Sequence, residues 1–574
     1  MSGNSIEMIR HSNNIIKDLL VLAYLLVCSG IIFKSTKQTY GVNDDVIMEN
    51  WLSGFYTGQQ EFMVRGSATP KITFGFIVSN LYRFIPDVSW FSIVLLSSTV
   101  FAWLLIGILA IRANDLFSIA GFGIASFLHL LWFIPNPTYT AASVLLSFST
   151  LVNLAKIIHL NKLNFGSYLL LLVYLFAYFM RPESFLLGTA AATPFLVFSI
   201  WQQKSLIKHN YKIFLIFIII LGSAVAIDSS IERNYYKNNS NWSSYKDWES
   251  ARYKIQANEP ERLLLENPTN FGWTKSSAEV FVNYNAIDRS YFSPERLNSL
   301  ILNTNQDQKL DIYKFLSESH KKVFDPKTNF GFEGMLMLIL LFFILYLFNS
   351  FPRIFPYLIL AGSAYLILYL IMIYVAGFLR QPERVQVSVI FLAILASLVG
   401  NLFAPKLKSN VQAPSFFVIS VVVLFFILSY SIPQGQYLRF KVAGAPNVFW
   451  ISQVEYLSKF PKDSIFVGNA SKFRNNWISP YKFGKFEVEN RIFTFGWHNF
   501  SPHWDKRADK LGLDPMNIMK SIIEDPKVYW VSDNASMTSV IQFMREQGYQ
   551  FTYPKVVGEM QYVEEKYLVW DFNK

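Results

Sequence analysis

Long apolar runs separated by short polar connections dominate the hydropathy pattern of this chain. About eleven runs have the length of roughly 17 to 25 residues that a helix needs to cross a bilayer. They lie at 17–33, 90–111, 115–134, 138–158, 165–180, 184–201, 212–228, 332–350, 354–377, 385–404 and 414–432. The pattern predicts a polytopic α-helical membrane protein.

A shorter apolar piece covers residues 72–84, between Pro70 and Pro86, and it contains Arg83. This piece is too short to cross the bilayer, and the prolines limit its extension. We expect an interfacial or re-entrant helix there.

Composition agrees with the membrane class. Of 574 residues, 52% are hydrophobic and only 16% are charged, which excludes an ordinary soluble protein of several domains. The net charge of +11 is scattered over the short connections, so we assign it to membrane topology rather than to nucleic-acid binding. The single cysteine, Cys28, excludes a disulfide within one chain and a cysteine-based metal site.

The distribution of lysine and arginine predicts the orientation. Arg10 and Lys17 precede the first apolar run, which no small-residue cleavage site follows, so we expect an uncleaved first span. The alternate connections after it are rich in Lys and Arg, whereas the short opposite ones hold only Arg181, Arg380 and Arg384. Positive residues are retained inside, so the N-terminus is predicted to be cytoplasmic and the C-terminus extracytoplasmic.

The polar segments define the expected domains. A transmembrane domain covers 1–432 and includes a first outer loop at 34–89. Residues 229–331 are expected to form a helical subdomain outside, since an unstructured loop of that length is uncommon. Its tryptophans would either stack on a sugar or cement a small core.

The tail, 433–574, is predicted to be an extracytoplasmic α/β domain. Its apolar runs at 464–468 and 527–531 are typical of strands, and a helix is expected to open at Asp514. Another helix is expected at 536–546, and a terminal hairpin at 556–572 with Gly558 in its turn region. The tail has no glycine-rich phosphate loop, so no nucleotide site is predicted.

An acidic motif follows the first span. On a helix starting at Asn43 or Asp44, Asp45 and Glu49 are four residues apart and share one face. These carboxylates could supply a general base or bind a divalent cation. The alternative is a helix cap followed by solvated charges.

Two Arg-Pro-Glu motifs lie at predicted outer ends of spans. They are Arg181-Pro182-Glu183 and Arg380-Gln381-Pro382-Glu383-Arg384. An arginine at headgroup depth can hold a phosphate through its planar fork. The alternative is membrane anchorage with an Arg–Glu pair at a tight turn.

The aromatic run 495–504 carries Trp497, His498 and His503. It could be a substrate-contacting loop or a surface that lies against the membrane.

Taken together, the acidic pair after span one, the number of spans, the outer arginines and the outer tail resemble the GT-C superfamily of integral membrane glycosyltransferases. The resemblance implies transfer of a sugar from a polyprenyl-phosphate carrier outside the cytoplasm. It suggests a bacterial inner membrane, and the Asn-x-Ser sequons at Asn238 and Asn241 leave a eukaryotic endoplasmic reticulum as the alternative. Bacterial members modify O-antigen, lipid A or cell-wall polymers of the cell envelope. It also implies a role for Asp44 or Asp45 as base or metal ligand, and for Arg181 and Arg380 as lipid-phosphate contacts.

The leading hypothesis is therefore an inverting glycosyltransferase acting on an extracytoplasmic glycan or lipid. Its candidate catalytic residues are Asp44 and Asp45. Its candidate substrate-binding residues are Glu49, Arg181, Glu183, Arg380, Glu383, Arg384, Trp497, His498 and His503. A requirement for Mg²⁺ or Mn²⁺ is left open, with Asp44 and Asp45 as its ligands.

Two alternatives stay open. One is a polysaccharide polymerase or ligase that uses lipid-diphosphate-linked sugars. The other is a transporter or flippase for lipid-linked sugars, which the near absence of charge inside the predicted spans disfavours.

Overall fold

The computed structural model describes residues 3–304, 317, 354–403 and 452–573. Short gaps within these ranges lie at 37, 41–42, 56, 63–69, 114, 161–164, 203, 257–258, 379–382, 474–479, 482–486 and 563–564. The predicted spans 332–350 and 414–432 lie outside the described residues.

The chain divides into two compact units, each made of three separate segments. The first contains Met1–Gly41, Ser92–Asp228 and Ile312–Gly444, and the second contains Val42–Phe91, Ser229–Asp311 and Ala445–Lys574. The sequence predicts a main boundary after residue 432. In space, the second unit groups residues 42–91 and 229–311 with the tail from residue 445 onward.

Helices account for most of the described chain. Up to residue 304 they are α1 (Gly3–Ser35), α2 (Asn43–Leu52), α3 (Ile72–Phe84), α4 (Trp90–Arg112), α5 (Leu116–Phe133), α6 (Tyr139–His159), α7 (Phe165–Met180), α8 (Pro182–Gln202), α9 (Lys204–Asn238), α10 (Ser240–Gln256), α11 (Glu259–Glu266), α12 (Lys275–Val282) and α13 (Pro294–Thr304). Later helices are α14 (Ile354–Phe378), α15 (Glu383–Phe403), α16 (Ala470–Phe473), α17 (Pro502–Lys510), α18 (Ile518–Glu524) and α19 (Asn534–Glu546). Short 3₁₀ turns lie at Pro268–Phe271 and Glu487–Arg491.

Six of the described helices are long and apolar enough to cross a membrane. These stretches are Asn14–Ser35, Trp90–Arg112, Tyr139–His159, Pro182–Gln202, Phe355–Val375 and Arg384–Phe403. Two shorter apolar helices cover Ser118–Phe133 and Phe165–Met180. The helix expected at 72–84 is confirmed as α3, and the predicted span 212–228 lies within α9.

Helix α6 forms the centre of the first unit. Its 18-residue apolar stretch is 89% buried, because α7, α8 and α15 pack around it. Gly188 allows α8 to approach closely, since a Cβ at this position would overlap Val144 O and Ser147 Oγ of α6. Small residues permit such backbone contact between membrane helices, where packing rather than hydrophobic burial drives association.

The second unit contains a five-stranded sheet in the order β2-β1-β3-β5-β4. Its strands are β1 (Ile465–Asn469), β2 (Ile492–Phe495), β3 (Val528–Ser532), β4 (Lys555–Tyr562) and β5 (Glu565–Asp571). The neighbours β2, β1 and β3 run parallel, whereas β5 runs antiparallel to both β3 and β4. The two predicted strands are confirmed within one residue. Strand β2 was not expected, because its four residues include only three apolar ones, interrupted by Thr494, and do not stand out.

Two local expectations in the tail are wrong. Gly558 lies inside β4, at a register shift from Val556, rather than in a turn. A Cβ there would collide with the ring of Tyr456, whose Oη accepts a hydrogen bond from Glu559 N at 3.0 Å. Asp514 does not open a helix: its carboxylate accepts from Met516 N at 2.9 Å in a turn. The helix begins only at Ile518, after the Asn517 cap.

Helices α10 to α13 pack with the sheet in the same unit. Thr274 Oγ1 donates to Glu546 Oε2 at 2.6 Å, and Asn469 Nδ2 donates to Asn283 O at 2.6 Å. Within the segment, Trp248 and Trp273 are buried, and Trp248 Nε1 donates to Phe292 O at 3.0 Å. The structure therefore favours the small-core interpretation of these two tryptophans.

The close approach at Gly188 generates a stability prediction. Gly188→Ala should lower the thermal unfolding midpoint of the detergent-solubilised protein by several degrees, because α6 and α8 must separate to admit the methyl group. Gly362→Ala is the matched control: it adds the same methyl to α14, where a Cβ meets nothing within 4 Å. That variant should be neutral or slightly stabilising. Equal midpoints for the two variants would contradict the close packing.

Candidate functional site

Helix α2 begins at Asn43, as the acidic motif predicts, and carries the candidate carboxylates in the second unit. Asp45 is fully buried and Glu49 is 5% exposed, so both point toward the interior. Asp44, in the same first turn, is only half-buried. The helix therefore keeps Asp44 accessible and buries the other two carboxylates, which contradicts the solvated-charge alternative for Asp45 and Glu49.

Tyr82 on α3 holds the inward carboxylate of Glu49. Its Oη donates to Glu49 Oε1 at 2.9 Å and accepts from Phe91 N at 3.1 Å. Burial, together with the Glu49 charge, raises the pKa of Tyr82 well above its usual value. The phenol therefore keeps its proton and donates to Glu49 across the physiological pH range.

The aromatic run 495–504, predicted as either a substrate loop or a membrane-facing surface, packs against Trp51 at the C-terminal end of α2. The Trp51 ring lies 4.1 Å from the ring of His503 and 5.5 Å from that of Trp497, measured between centroids. His498 and His503 are buried, while Trp497 is half-buried. The structure thus brings Glu49, Trp497, His498 and His503 into the same unit as Asp44 and Asp45, with the two histidines inside the aromatic packing.

Local hydrogen bonds explain how this loop keeps its shape. Asn499 Oδ1 accepts from Gly496 N at 2.8 Å, and Asn499 Nδ2 donates to Ala286 O at 2.9 Å. Phe500 has a φ of 64°, a left-handed conformation that non-glycine residues rarely adopt. Ser501 then caps α17, accepting from Trp504 N at 3.1 Å.

Helix α10 forms the neighbouring wall of the site. Trp242 contacts the His503 ring edge-on at 5.1 Å, and Tyr245 Oη donates to Trp497 O at 3.3 Å. Burial is the main cause that raises the pKa of Tyr245 well above its usual value, and the charge of Glu249 adds to it. Tyr245 therefore keeps its proton and donates to the carbonyl of Trp497.

Arg181 lies in the first unit, between α7 and α8, and is 8% exposed. Its Nη1 donates to Thr140 Oγ1, and its guanidinium lies 4.7 Å from the centroid of the Tyr139 ring. Both partners are in the first turn of α6. Glu183, whose side chain is 55% exposed, approaches Arg181 Nε to 3.9 Å.

The second Arg-Pro-Glu motif is described only in part. Arg380 lies outside the described residues, as does the side chain of Glu383, the first residue of α15. Arg384 is half-buried, and its carbonyl oxygen accepts from Ser388 Oγ at 2.6 Å. The roles expected of these three residues stay predictions.

Several residues of the site were not singled out from the sequence. They are Trp51, Tyr82 and Tyr245 around α2, and Tyr139 and Thr140 around Arg181. An isolated tyrosine or tryptophan in an aromatic-rich chain is indistinguishable from core packing. Among the described residues, no group of three or more His, Cys, Asp or Glu side chains could hold a metal ion.

No protein-family model matches this chain, and no curated protein matches it. Among solved structures, it is similar to the crystal structure of ArnT from Cupriavidus metallidurans bound to undecaprenyl phosphate. The identity is 12% over 96% of this chain and 97% of that chain, with a TM-score of 0.38.

The burial of His498 generates a prediction about pH. Burial lowers the pKa of His498 to about 3, and its Nε2–H donates to Thr494 O at 3.2 Å. The folded state thus disfavours the protonated ring. The stabilising contribution of the neutral His498 ring is complete above its unfolded-state pKa of about 6.5. It is lost progressively as the pH falls toward the folded-state pKa.

As the pH falls from about 6.5 to 5, His498 alone should lower the free energy of unfolding by about 2 kcal/mol. His498→Gln cannot titrate, so its unfolding midpoint should fall less than that of the wild type over the same pH interval. Equal losses in wild type and variant would show that His498 is not responsible.

Proposed function

We propose that the protein is an integral membrane glycosyltransferase. It moves a sugar from a polyprenyl-phosphate carrier to an extracytoplasmic glycan or lipid of the bacterial cell envelope. The observation that carries this proposal is the arrangement of α2, the helix that follows the first span. It keeps Asp44 accessible, whereas Asp45 and Glu49 are buried in the packed interior of the unit.

The reaction needs two kinds of group. An acceptor hydroxyl oxygen attacks the anomeric carbon, the bond from that carbon to the phosphate oxygen breaks, and polyprenyl phosphate leaves. The hydroxyl proton goes to a carboxylate, and a cation stabilises the charge that develops on the phosphate. An attack opposite the leaving phosphate inverts the anomeric configuration.

The difference in exposure supports Asp44 as the base. An acceptor hydroxyl must come within hydrogen-bond distance of the base, and Asp44 is half-buried whereas Asp45 is fully buried. Asp45 and Glu49 then orient the first turn of α2 from inside.

The surroundings of Arg181 support its role as the phosphate contact. Its guanidinium lies at the first turn of α6, and α8 begins at the next residue, Pro182. Helix N-termini carry partial positive charge, which adds to that of the arginine and favours an anion. Glu183 is a distant and largely exposed partner, so a phosphate can displace it.

Substitution of the acidic pair tests the base. Asp44→Asn should reduce sugar transfer from a polyprenyl-phosphate-linked donor by about 100-fold or more, because the amide cannot accept the proton. Asp45→Asn should also reduce it strongly by disturbing the buried face of α2. Transfer of labelled sugar by membranes with matched protein levels is the measurement.

Asp87→Asn is the control for these variants, since Asp87 is an exposed carboxylate in the same unit. Its activity should equal that of the wild type. Full activity in both Asp44→Asn and Asp45→Asn would reject the assignment of α2.

Substitution of Arg181 tests the donor contact separately. Arg181→Gln should raise the KM for the lipid-linked donor about tenfold or more, because a charge-assisted hydrogen bond to phosphate is lost. Arg181→Lys should recover only part of the affinity, since lysine lacks the planar fork.

Arg112→Gln is the matched control in the same unit, where Arg112 Nε donates to Asp18 Oδ1 at 3.2 Å on the surface. Its donor KM should be that of the wild type. A donor KM unchanged in Arg181→Gln would show that Arg181 is not a phosphate contact.

A further inference from the structure

Tyr82 connects three helices of the site through one phenol oxygen. It is fully buried on the inner face of α3, donates to Glu49 of α2 and accepts from the backbone N–H of Phe91 in the first turn of α4. The first N–H groups of a helix have no partner within the helix. Tyr82 satisfies one of them and, with its own proton, binds a carboxylate.

Both hydrogen bonds of the Tyr82 phenol lie within the second unit. One joins it to Glu49 in the middle of α2, and the other joins it to the backbone of Phe91. This pair of contacts limits how the short helix can rotate about its axis.

The far end of α2 is held by different forces. Trp51 is buried among the rings of Trp497, His498 and His503. Ring packing of this kind holds the helix in place through apolar burial, which has little directional preference. The Glu49 hydrogen bond is directional, so it can set the rotation that packing alone leaves adjustable.

We propose that Tyr82 is a positioning residue for glycosyl transfer: by holding the Glu49 carboxylate, it fixes the rotation of α2 and so the direction of Asp44. This inference rests on the proposed function. Tyr82 acts through Glu49 and contacts neither donor nor acceptor. A misplacement of about 1 Å in a catalytic group can cost about 100-fold in rate, so loss of this one bond should be visible in kcat.

The experiment uses the full-length protein and the conservative variant Tyr82→Phe. We expect kcat to fall about tenfold or more while the KM for the donor stays within about twofold, because the donor contacts are unchanged. Tyr549→Phe is the matched control. It removes a phenol bond to a carboxylate, from Tyr549 Oη to Asp288 Oδ2 at 3.2 Å, elsewhere in the same unit.

If Tyr82 has only a structural role, Tyr82→Phe and Tyr549→Phe should lower the thermal midpoint equally and should have equal kcat values. A positioning role lowers kcat only in Tyr82→Phe. Hydrogen exchange at the backbone amides of 43–52 reports on α2 directly. Glu49→Gln keeps an oxygen that can accept from Tyr82, so it should preserve slow exchange there. Tyr82→Phe removes the donor and should speed that exchange.

The outcomes separate the two hypotheses. If the wild type transfers no sugar from polyprenyl-phosphate donors, the proposed function fails, and exchange at 43–52 alone then decides whether Tyr82 fixes α2. If the wild type is active and Tyr82→Phe matches Tyr549→Phe in kcat, the positioning role is overturned. Unchanged exchange in Tyr82→Phe overturns it as well.

Discussion

Burying two carboxylates on one side of a three-turn helix is the constraint on which the second unit depends. A charge removed from water costs several kcal/mol unless hydrogen bonds and opposite charges compensate. For Glu49 part of that compensation is the phenol of Tyr82, and Tyr82 can give it only because α3 and the start of α4 hold its ring. Helices α2 and α3 and the first turn of α4 therefore have to be placed correctly together.

Burial imposes the same kind of cost on the positive charge of Arg181. A guanidinium that is 8% exposed needs acceptors and a polarisable surface, and Thr140 and Tyr139 supply both from the first turn of α6. Since α6 is buried along nearly all of its length, its first turn is a rigid place for a charge. Each unit thus fixes its charged group against a well-packed helix rather than on an open loop.

The sequence predicts those features that depend on local periodicity. The start of α2 at Asn43 follows from an acidic pair after a long apolar run, and the helix at 72–84 follows from its proline boundaries. Partners that are distant in sequence leave no such pattern. Tyr82 could not be connected to Glu49, nor His503 to Trp51, because a ring or a phenol in an apolar context is also typical of ordinary core packing.

Short-range preferences also failed where tertiary packing overrides them. Gly558 is a usual turn residue, yet it lies in a strand because the Tyr456 ring occupies the space of a side chain. Ser501 and Asn517, by contrast, cap helices as their side chains favour. Local chemistry thus determines where helices start, whereas close contacts between distant segments determine where strands bend.

The three-part construction of the second unit has a consequence for biosynthesis. Chains emerge from the ribosome N-terminus first, so α2 is made early, whereas Trp497 and His503 are made near the end. Until then Trp51 has no aromatic partner from that loop. A truncated chain can contain both aspartates and still lack the support that orients them. The aromatic packing around Trp51 can therefore form only after residues 497–503 have been synthesised.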